Sequence, residues 1–137
     1  MGLTVVDAGV LIGFLDHDNP HHAAAHRSLT AALASGNRLA LPASAFAQVL
    51  VGPSRRGKAA IDVVRRLLER VPIDVVPLDE AVALTAADLR AHHPEVKLPD
   101  ALVIATAITV DADVLLTTDR KWPTRRALGL RAVMTVL

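Results

Sequence analysis

The sequence has no cysteine and no tyrosine, and it contains one tryptophan and two phenylalanines. The lack of cysteine excludes disulfides, thiolate zinc sites and cysteine nucleophiles. The scarcity of aromatic residues argues against a surface that binds nucleic acid by stacking bases on rings. No apolar stretch reaches the roughly 18 residues of a membrane-spanning helix, and no cationic leader precedes the first apolar run. We therefore expect a cytoplasmic protein with no membrane partner.

Charge is nearly balanced, with 15 Lys and Arg against 14 Asp and Glu and a formal net charge of +1. A polyanionic partner would therefore have to bind a local basic patch, because the domain has no strong overall field. Apolar residues make up 52% of the 137 residues. This length and composition predict a single folded domain over residues 1–137.

Short β-branched apolar runs alternate with segments of helical periodicity. This alternation predicts an α/β fold with a parallel sheet of four to five short strands and helices on both faces. Ser44 is predicted to cap a short helix that Gly52-Pro53 ends, and a basic loop follows at 54–58. The predicted strands are 3–7, 38–42, 73–76, 114–116 and 132–136, and the predicted helices are 8–15, 20–34, 45–51, 58–70, 79–91 and one beginning at Pro99. Residues 120–129 are predicted to form a loop.

Three acids occupy positions where this fold would bring them together. Asp7 ends the first strand, Asp119 follows the strand at 114–116, and Asp100 lies in the first turn of the helix that Pro99 opens. Ligands of open α/β sheets bind outside the carboxyl ends of the strands. If the two strands are neighbours, Asp7 and Asp119 share that crevice and Asp100 approaches it from the helix terminus. Such a cluster needs a cation or a proton to offset its repulsion.

Each of these acids also has a simpler interpretation. Asp100 can stabilise a helix N-terminus without any ligand, and Asp119 can pair with the adjacent Arg120 and Lys121. The early histidines include His22 and His26 at i, i+4 spacing, but no glutamate accompanies them as in a metalloprotease motif. A solvated helix face is the favoured interpretation for the histidines.

Four segments in order carry a family resemblance: residues 5–11 (VVDAGVL), 42–53 (PASAFAQVLVGP), 98–105 (LPDALVIA) and 116–119 (LTTD). Together they resemble the PIN domain family of ribonucleases, and specifically the VapC-type toxins of bacterial type II toxin–antitoxin systems. The resemblance implies a three-layer α/β/α fold and a Mg²⁺- or Mn²⁺-dependent endoribonuclease. It further implies a metal-activated water and products that carry a 3′-hydroxyl and a 5′-phosphate.

Carried over by position, Asp7 and Asp100 resemble the principal metal ligands and Asp119 a further acid of the same cluster. The resemblance implies an RNA substrate, with tRNA and rRNA as candidates, and a homodimer inhibited by a cognate VapB-type antitoxin. The antitoxin's C-terminal segment would enter a groove between the helices at 45–51 and 58–70, with a basic residue reaching the acids. Arg55, Arg56, Arg120 and Lys121 are candidate contacts to RNA phosphates.

The sequence departs from the family at Gln48, where relatives carry a catalytic glutamate. Glutamine can orient a water or ligate weakly, but it brings no charge and is no general base. Gln48 is therefore either a natural feature or a substitution that disarms the enzyme, and a catalytically inactive PIN domain that binds RNA or antitoxin is the alternative function. Gly9 also stands where many relatives carry Ser or Asn. A receiver-like phosphoacceptor domain is a third hypothesis, weakened because Val6 precedes Asp7 where that class has a second acid.

Overall fold

The computed structural model describes residues 2–137, and at its centre lies a five-stranded parallel sheet. The strands are β1 (Leu3–Val6), β2 (Arg38–Pro42), β3 (Ile73–Val76), β4 (Val114–Thr117) and β5 (Val133–Val136). Their order across the sheet is β3-β2-β1-β4-β5, and all four pairs are parallel. The chain therefore adds strands first on one side of β1 and then on the other. The crevice outside β1 and β4 is the switch point at which open α/β sheets bind ligands.

Helices link the strands and complete the predicted three-layer arrangement. They are α1 (Ala8–Leu15), α2 (His22–Ala34), α3 (Ala43–Arg56), α4 (Lys58–Arg70), α5 (Glu80–His92), α6 (Leu98–Thr109) and α7 (Arg125–Leu128). Within residues 2–137 none of these helices combines the length and apolar character needed to cross a bilayer.

The core joins the two central strands to α6. Val5 and Leu115 of the strands and Ile104 of α6 have no exposed surface. Burying a side chain of this size contributes roughly 1.5–3 kcal/mol. This packing fixes the carboxyl ends of β1 and β4, where the candidate acids follow.

The predicted short helix over 45–51 is wrong, because α3 runs from Ala43 to Arg56 and includes Ser44 and Pro53. Proline inside a helix removes one backbone hydrogen bond. Here Val49 and Pro53, one turn apart, are both buried, and we infer that their packing outweighs that loss. The predicted basic loop is therefore also wrong, since Arg55 and Arg56 lie in the last helical turn.

Two smaller predictions also differ from the structure. The helix predicted from residue 20 begins at His22, because the side chain of Asn19 accepts the backbone N–H of His21 and forms a turn first. The loop predicted after Asp119 contains α7. The Thr124 hydroxyl accepts the N–H of Ala127 at its start, and Gly129 ends it with a φ of 65°.

Candidate active site

Asp7 lies directly beyond β1 at the N-terminus of α1, and 7% of its surface is exposed. Its Oδ1 accepts the backbone N–H of Ala8 at 2.7 Å, and its Oδ2 accepts the hydroxyl of Thr117 at 2.8 Å. Burial raises the pKa of Asp7, while these two donors oppose the rise. The charges of Asp100 and Asp119 raise the pKa of Asp7 further. The structure thus brings the three predicted acids within electrostatic reach of one another.

Thr117 joins two of these acids, and the sequence predictions did not single it out. Its hydroxyl donates to Asp7 and accepts the backbone N–H of Asp119 at 3.0 Å. The contact depends on the register of β1 and β4, which pairs Val6 with Leu116 and so sets Thr117 level with Asp7. A threonine directly after a buried apolar run and two residues before an acid is the signal that could have identified it.

Asp100 lies in the first turn of α6 and is half-buried. Burial raises the pKa of Asp100, and the neighbouring charge of Asp119 adds to the rise. The indole N–H of Trp122 and the ammonium of Lys97 act in the opposite direction. A first-turn carboxylate normally gains from the helix dipole, but burial, with the charge of Asp119 as the second cause, raises the pKa of Asp100.

Asp119 is half-buried in the turn after β4. Its Oδ1 accepts the backbone N–H of Lys121 at 2.8 Å, which is the local turn that aspartate favours. Within the described residues it makes no ion pair with Arg120 or Lys121. The remaining carboxylate oxygen of Asp119 is therefore free of these two cations.

Gln48 lies on the exposed face of α3 and lines a groove of about 750 Å³ between α1, α3 and α4. The groove wall combines apolar residues such as Ile12 and Val63 with the charged Asp16 and Arg56, and it does not include the three aspartates. In the described part of the chain Gln48 makes no side-chain hydrogen bond to them. A role for Gln48 beside the acids remains a prediction.

The predicted RNA-binding cations are all exposed. Arg55 and Arg56 lie at the end of α3, and Arg120 and Lys121 lie in the turn that contains Asp119. Within residues 2–137 none of the four forms a salt bridge. All four can therefore meet phosphate groups without breaking an internal ion pair.

The ligand atoms of the acid cluster are all carboxylate oxygens, which bears on the metals that it would suit. Among residues 2–137 no three carboxylate or imidazole side chains converge tightly enough to enclose a metal ion. Structural zinc sites need four such ligands. Mg²⁺, by contrast, is usually held by one or two carboxylates and keeps several waters. The carboxylate oxygens of Asp7 and Asp100 are the kind of ligand that Mg²⁺ takes. A cation beside them would oppose the burial and the neighbouring charges that raise the pKa of Asp7.

Similar folds occur in solved structures of toxin–antitoxin proteins. VapBC2 from Rickettsia felis, bound to a promoter DNA fragment, has a TM-score of 0.75 and 15% identity, covering 98% of each chain. A toxin–antitoxin complex from Klebsiella pneumoniae has a TM-score of 0.69 and 21% identity, covering 86% of this chain and 88% of the other. VapC20 from Mycobacterium tuberculosis, a sarcin-ricin loop cleaving toxin, has a TM-score of 0.62 and 17% identity, covering 82% and 86%. At these identities the likeness establishes the fold alone.

A comparison with curated proteins found no significant match. A comparison with protein families matched residues 4–127 to the PIN domain. That range contains all three aspartates, Gln48, the strands β2 to β4 and all of β1 except Leu3. The chain belongs to the PIN domain family.

Proposed function

We propose that this chain is a VapC-like endoribonuclease toxin that hydrolyses RNA phosphodiester bonds with Mg²⁺ or Mn²⁺. The observation that carries the proposal is the position of Asp7 and Asp119 beyond the carboxyl ends of the neighbouring strands β1 and β4, where the Thr117 hydroxyl joins them. Asp100 lies in the first turn of α6. Burial, and then the charges of Asp100 and Asp119, raise the pKa of Asp7. Perturbed titratable groups at the ligand-binding edge of a fold are typical of functional sites. The family match and the solved toxin–antitoxin folds support this assignment.

In this proposal Asp7 and Asp100 hold the cation, and Asp119 orients the attacking water from the turn after β4. Thr117 keeps Asp7 in place through its hydroxyl. When bound, the cation supplies a more acidic water and offsets charge on the phosphoryl oxygens. The water oxygen bonds to phosphorus as the bond to the 3′ oxygen breaks, which leaves a 3′-hydroxyl and a 5′-phosphate. Arg120 and Lys121 attract the RNA backbone without reading its sequence.

The test compares the parent protein with Gln48→Glu, each with and without Asp7→Asn. All four proteins are incubated with a structured RNA pool containing tRNA and rRNA fragments, in Mg²⁺, Mn²⁺ or EDTA. We expect metal-dependent cleavage that EDTA abolishes and that both Asp7→Asn versions lack, and we expect Gln48→Glu to be the more active background. The Asp7→Asn versions also control for contaminating nucleases, since they pass through the same purification.

Cleavage that persists in the Asp7→Asn versions would contradict the proposal. If no protein cleaves any RNA offered, either the RNA pool lacks the substrate or the protein has no metal site. Calorimetric titration with Mn²⁺ distinguishes these two explanations. The absence of Mn²⁺ binding by both the parent and Gln48→Glu would overturn the metal site itself.

A catalytically inactive PIN domain that binds RNA or an antitoxin is the second candidate function. The observation that favours it is Gln48, which is exposed, uncharged and not hydrogen-bonded to the acids within the described residues. This candidate predicts that Gln48→Glu cleaves RNA while the parent only binds it.

The sheet order disfavours the receiver-like hypothesis. Receiver-like domains have the flavodoxin-like strand order 2-1-3-4-5, whereas the order here is β3-β2-β1-β4-β5.

The proposed partners are a cognate antitoxin and a second copy of this chain. The groove beside Gln48 is lined by apolar side chains from α1, α3 and α4, including Val63, which is 60% exposed. An amphipathic or extended antitoxin segment can bury these side chains. Asp16 and Asp18 at the groove edge would favour basic residues in that segment. We expect Val63→Asp to weaken antitoxin binding. The matched control is Leu84→Asp, because Leu84 is 65% exposed on α5.

A further inference from the structure

The loop between α5 and α6, residues 93–97, is held by an arginine of α5. One nitrogen of the Arg90 guanidinium, Nη1, donates to the carbonyl oxygens of Pro94 and Val96, each at 2.7 Å. This short distance is typical of a hydrogen bond with a charged donor. Within residues 2–137 Arg90 forms no salt bridge. The charge of Arg90 therefore acts on the loop and not on another side chain.

Arg90 does not act as an ordinary basic residue at a helix end. Such residues commonly bond the last carbonyls of their own helix. His92, in the same turn, has this arrangement, since its Nδ1 lies 2.9 Å from the carbonyl oxygen of Asp88. Arg90 instead bonds carbonyls that lie beyond the end of α5. Its two bonds therefore fix the chain that leads into α6.

The start of α6 needs such support, because no side chain caps this helix. Lys97 occupies the N-cap position, and its side chain makes no capping hydrogen bond. The preceding residue, Val96, is held in place by three contacts. Its side chain is buried in the core, its N–H donates to the carbonyl of His93 at 2.9 Å, and its own carbonyl accepts from Arg90. Asp100 lies in the helical turn that follows directly.

We propose that Arg90 is a positioning residue for the metal site, which holds the first turn of α6 so that the Asp100 carboxylate meets the cation shared with Asp7. The inference rests on the proposed function, because that function assigns Asp100 to a cation. Hydrogen bonds outside the ligands commonly orient the ligands of a metal site. The Thr117 hydroxyl supports Asp7 directly. Arg90 supports Asp100 through the backbone.

The first test is metal-free and measures amide hydrogen exchange at Ala101. The N–H of Ala101 donates to the carbonyl of Lys97 at 2.9 Å, at the start of α6. Arg90→Met keeps an apolar side chain and removes the donors. We expect exchange at Ala101 to be about 10-fold faster or more, the factor that corresponds to one hydrogen bond to a charged group. An unchanged rate would overturn the support of α6 by Arg90, whatever the metal does.

Arg125→Met is the matched control for this change. The Arg125 guanidinium also donates to two backbone carbonyls, those of Leu130 and Arg131. The segment that it holds leads into β5, which carries none of the three aspartates. A general loss of stability should therefore affect Arg125→Met as much as Arg90→Met. We expect exchange at Ala101 to be unchanged in Arg125→Met.

The second test measures Mn²⁺ affinity by calorimetry for the parent, Arg90→Met, Arg90→Lys and Arg125→Met. Loss of an outer hydrogen bond commonly weakens metal binding by about 10- to 100-fold. We expect about the lower value for Arg90→Met, because Arg90 acts on the backbone and not on the ligand itself. Arg90→Lys should recover much of the loss, since both bonds come from one nitrogen and an ammonium has three donors. Arg125→Met should bind as the parent does.

The outcomes separate this inference from the proposed function. Equal Mn²⁺ affinity of the parent and Arg90→Met overturns the positioning role and leaves the metal site intact. Equal losses of affinity in Arg90→Met and Arg125→Met overturn it as well, because they show a general effect of stability. A parent that binds no Mn²⁺ overturns both proposals. If Arg90→Met does not fold, Arg90→Gln replaces it in both measurements with the same expectations, since its shorter neutral side chain cannot reach the two carbonyls.

Discussion

Thr117 has no exposed surface, and its hydroxyl has two partners. It donates to the Asp7 carboxylate and accepts the backbone N–H of Asp119. A single hydroxyl thus sets the distance between one candidate ligand and the turn that carries another acid. Without it, one oxygen of Asp7 and one backbone N–H would be left unpaired in a buried region.

We expect Thr117→Val to destabilise the protein by about 1–3 kcal/mol, since valine keeps the shape of threonine but leaves these groups unpaired. The same change should raise the pKa of Asp7 further, because the hydroxyl now holds it down. Chemical denaturation measures the first effect. Thr117→Ser, which keeps the hydroxyl and loses one methyl group, is the matched control and should retain most of the stability. Equal stability of Thr117→Val and the parent would contradict the bridging role.

At the scale of elements, α1 packs against the turn after β4 at Gly9, beside the side chain of Thr118. A Cβ at Gly9 would clash with the hydroxyl oxygen of Thr118. The family's Ser or Asn at this position therefore does not fit beside Thr118 as it stands. Glycine at position 9 and threonine at position 118 are a matched pair in this chain, and the missing side chain is explained by space.

We expect Gly9→Ala to destabilise the protein by about 1–3 kcal/mol through overpacking. Adding Thr118→Ala should restore most of that loss, because the remaining contacts to the new Cβ would be 3.5 Å or longer. The control is Gly52→Ala in α3, where the nearest atom lies 3.9 Å from the new Cβ. That change should stabilise by up to about 1 kcal/mol through helix propensity. Thermal or denaturant unfolding of the parent and these three variants tests all three expectations, and a Gly9→Ala protein as stable as the parent would refute the steric account.

The sheet could be predicted from the sequence because short β-branched runs and helical periodicity report directly on parallel α/β architecture. The same reasoning placed Asp7 and Asp119 at the ends of two strands, and their meeting was conditional on those strands being neighbours. The pairing of β1 with β4 fulfils that condition. The extent of α3 could not be predicted, since Gly52-Pro53 is a strong local stop signal and only tertiary packing of Pro53 overrides it.

The contacts around the acids could not be predicted from the sequence either. The bond from Thr117 to Asp7 spans 110 positions and requires the strand register. Gln48, unlike these contacts, could be identified from the sequence, through the family resemblance. The ribonuclease assay measures its effect on activity.

At the scale of the whole molecule, the acid cluster makes the protein less stable as pH rises, which is the opposite of the effect of carboxylates that are paired with cations. The pKa values of Asp7 and Asp100 are raised above the ordinary value of 3.8. Between that value and each raised pKa, the folded state binds more protons than the unfolded state. The contribution of these groups to the free energy of unfolding therefore falls as pH rises through this window, and the loss is complete above the folded pKa values.

We expect Asp100→Asn to be more stable than the metal-free parent at neutral pH and to lose that advantage as pH falls below about 4, near the ordinary carboxyl pKa. Mg²⁺ should reverse the order, because binding to the folded state adds about 2.7 kcal/mol at a concentration 100 times the dissociation constant. Thermal unfolding of both proteins across pH, with Mg²⁺ and with EDTA, measures the two effects together. Asp74→Asn is the control, since Asp74 is exposed and paired with Arg38 on the far side of the sheet. The contrary outcome is a stability difference between Asp100→Asn and the parent that depends on neither pH nor Mg²⁺. In that case the three acids do not act as one charged cluster, and their position at the switch point of the sheet has only a structural role.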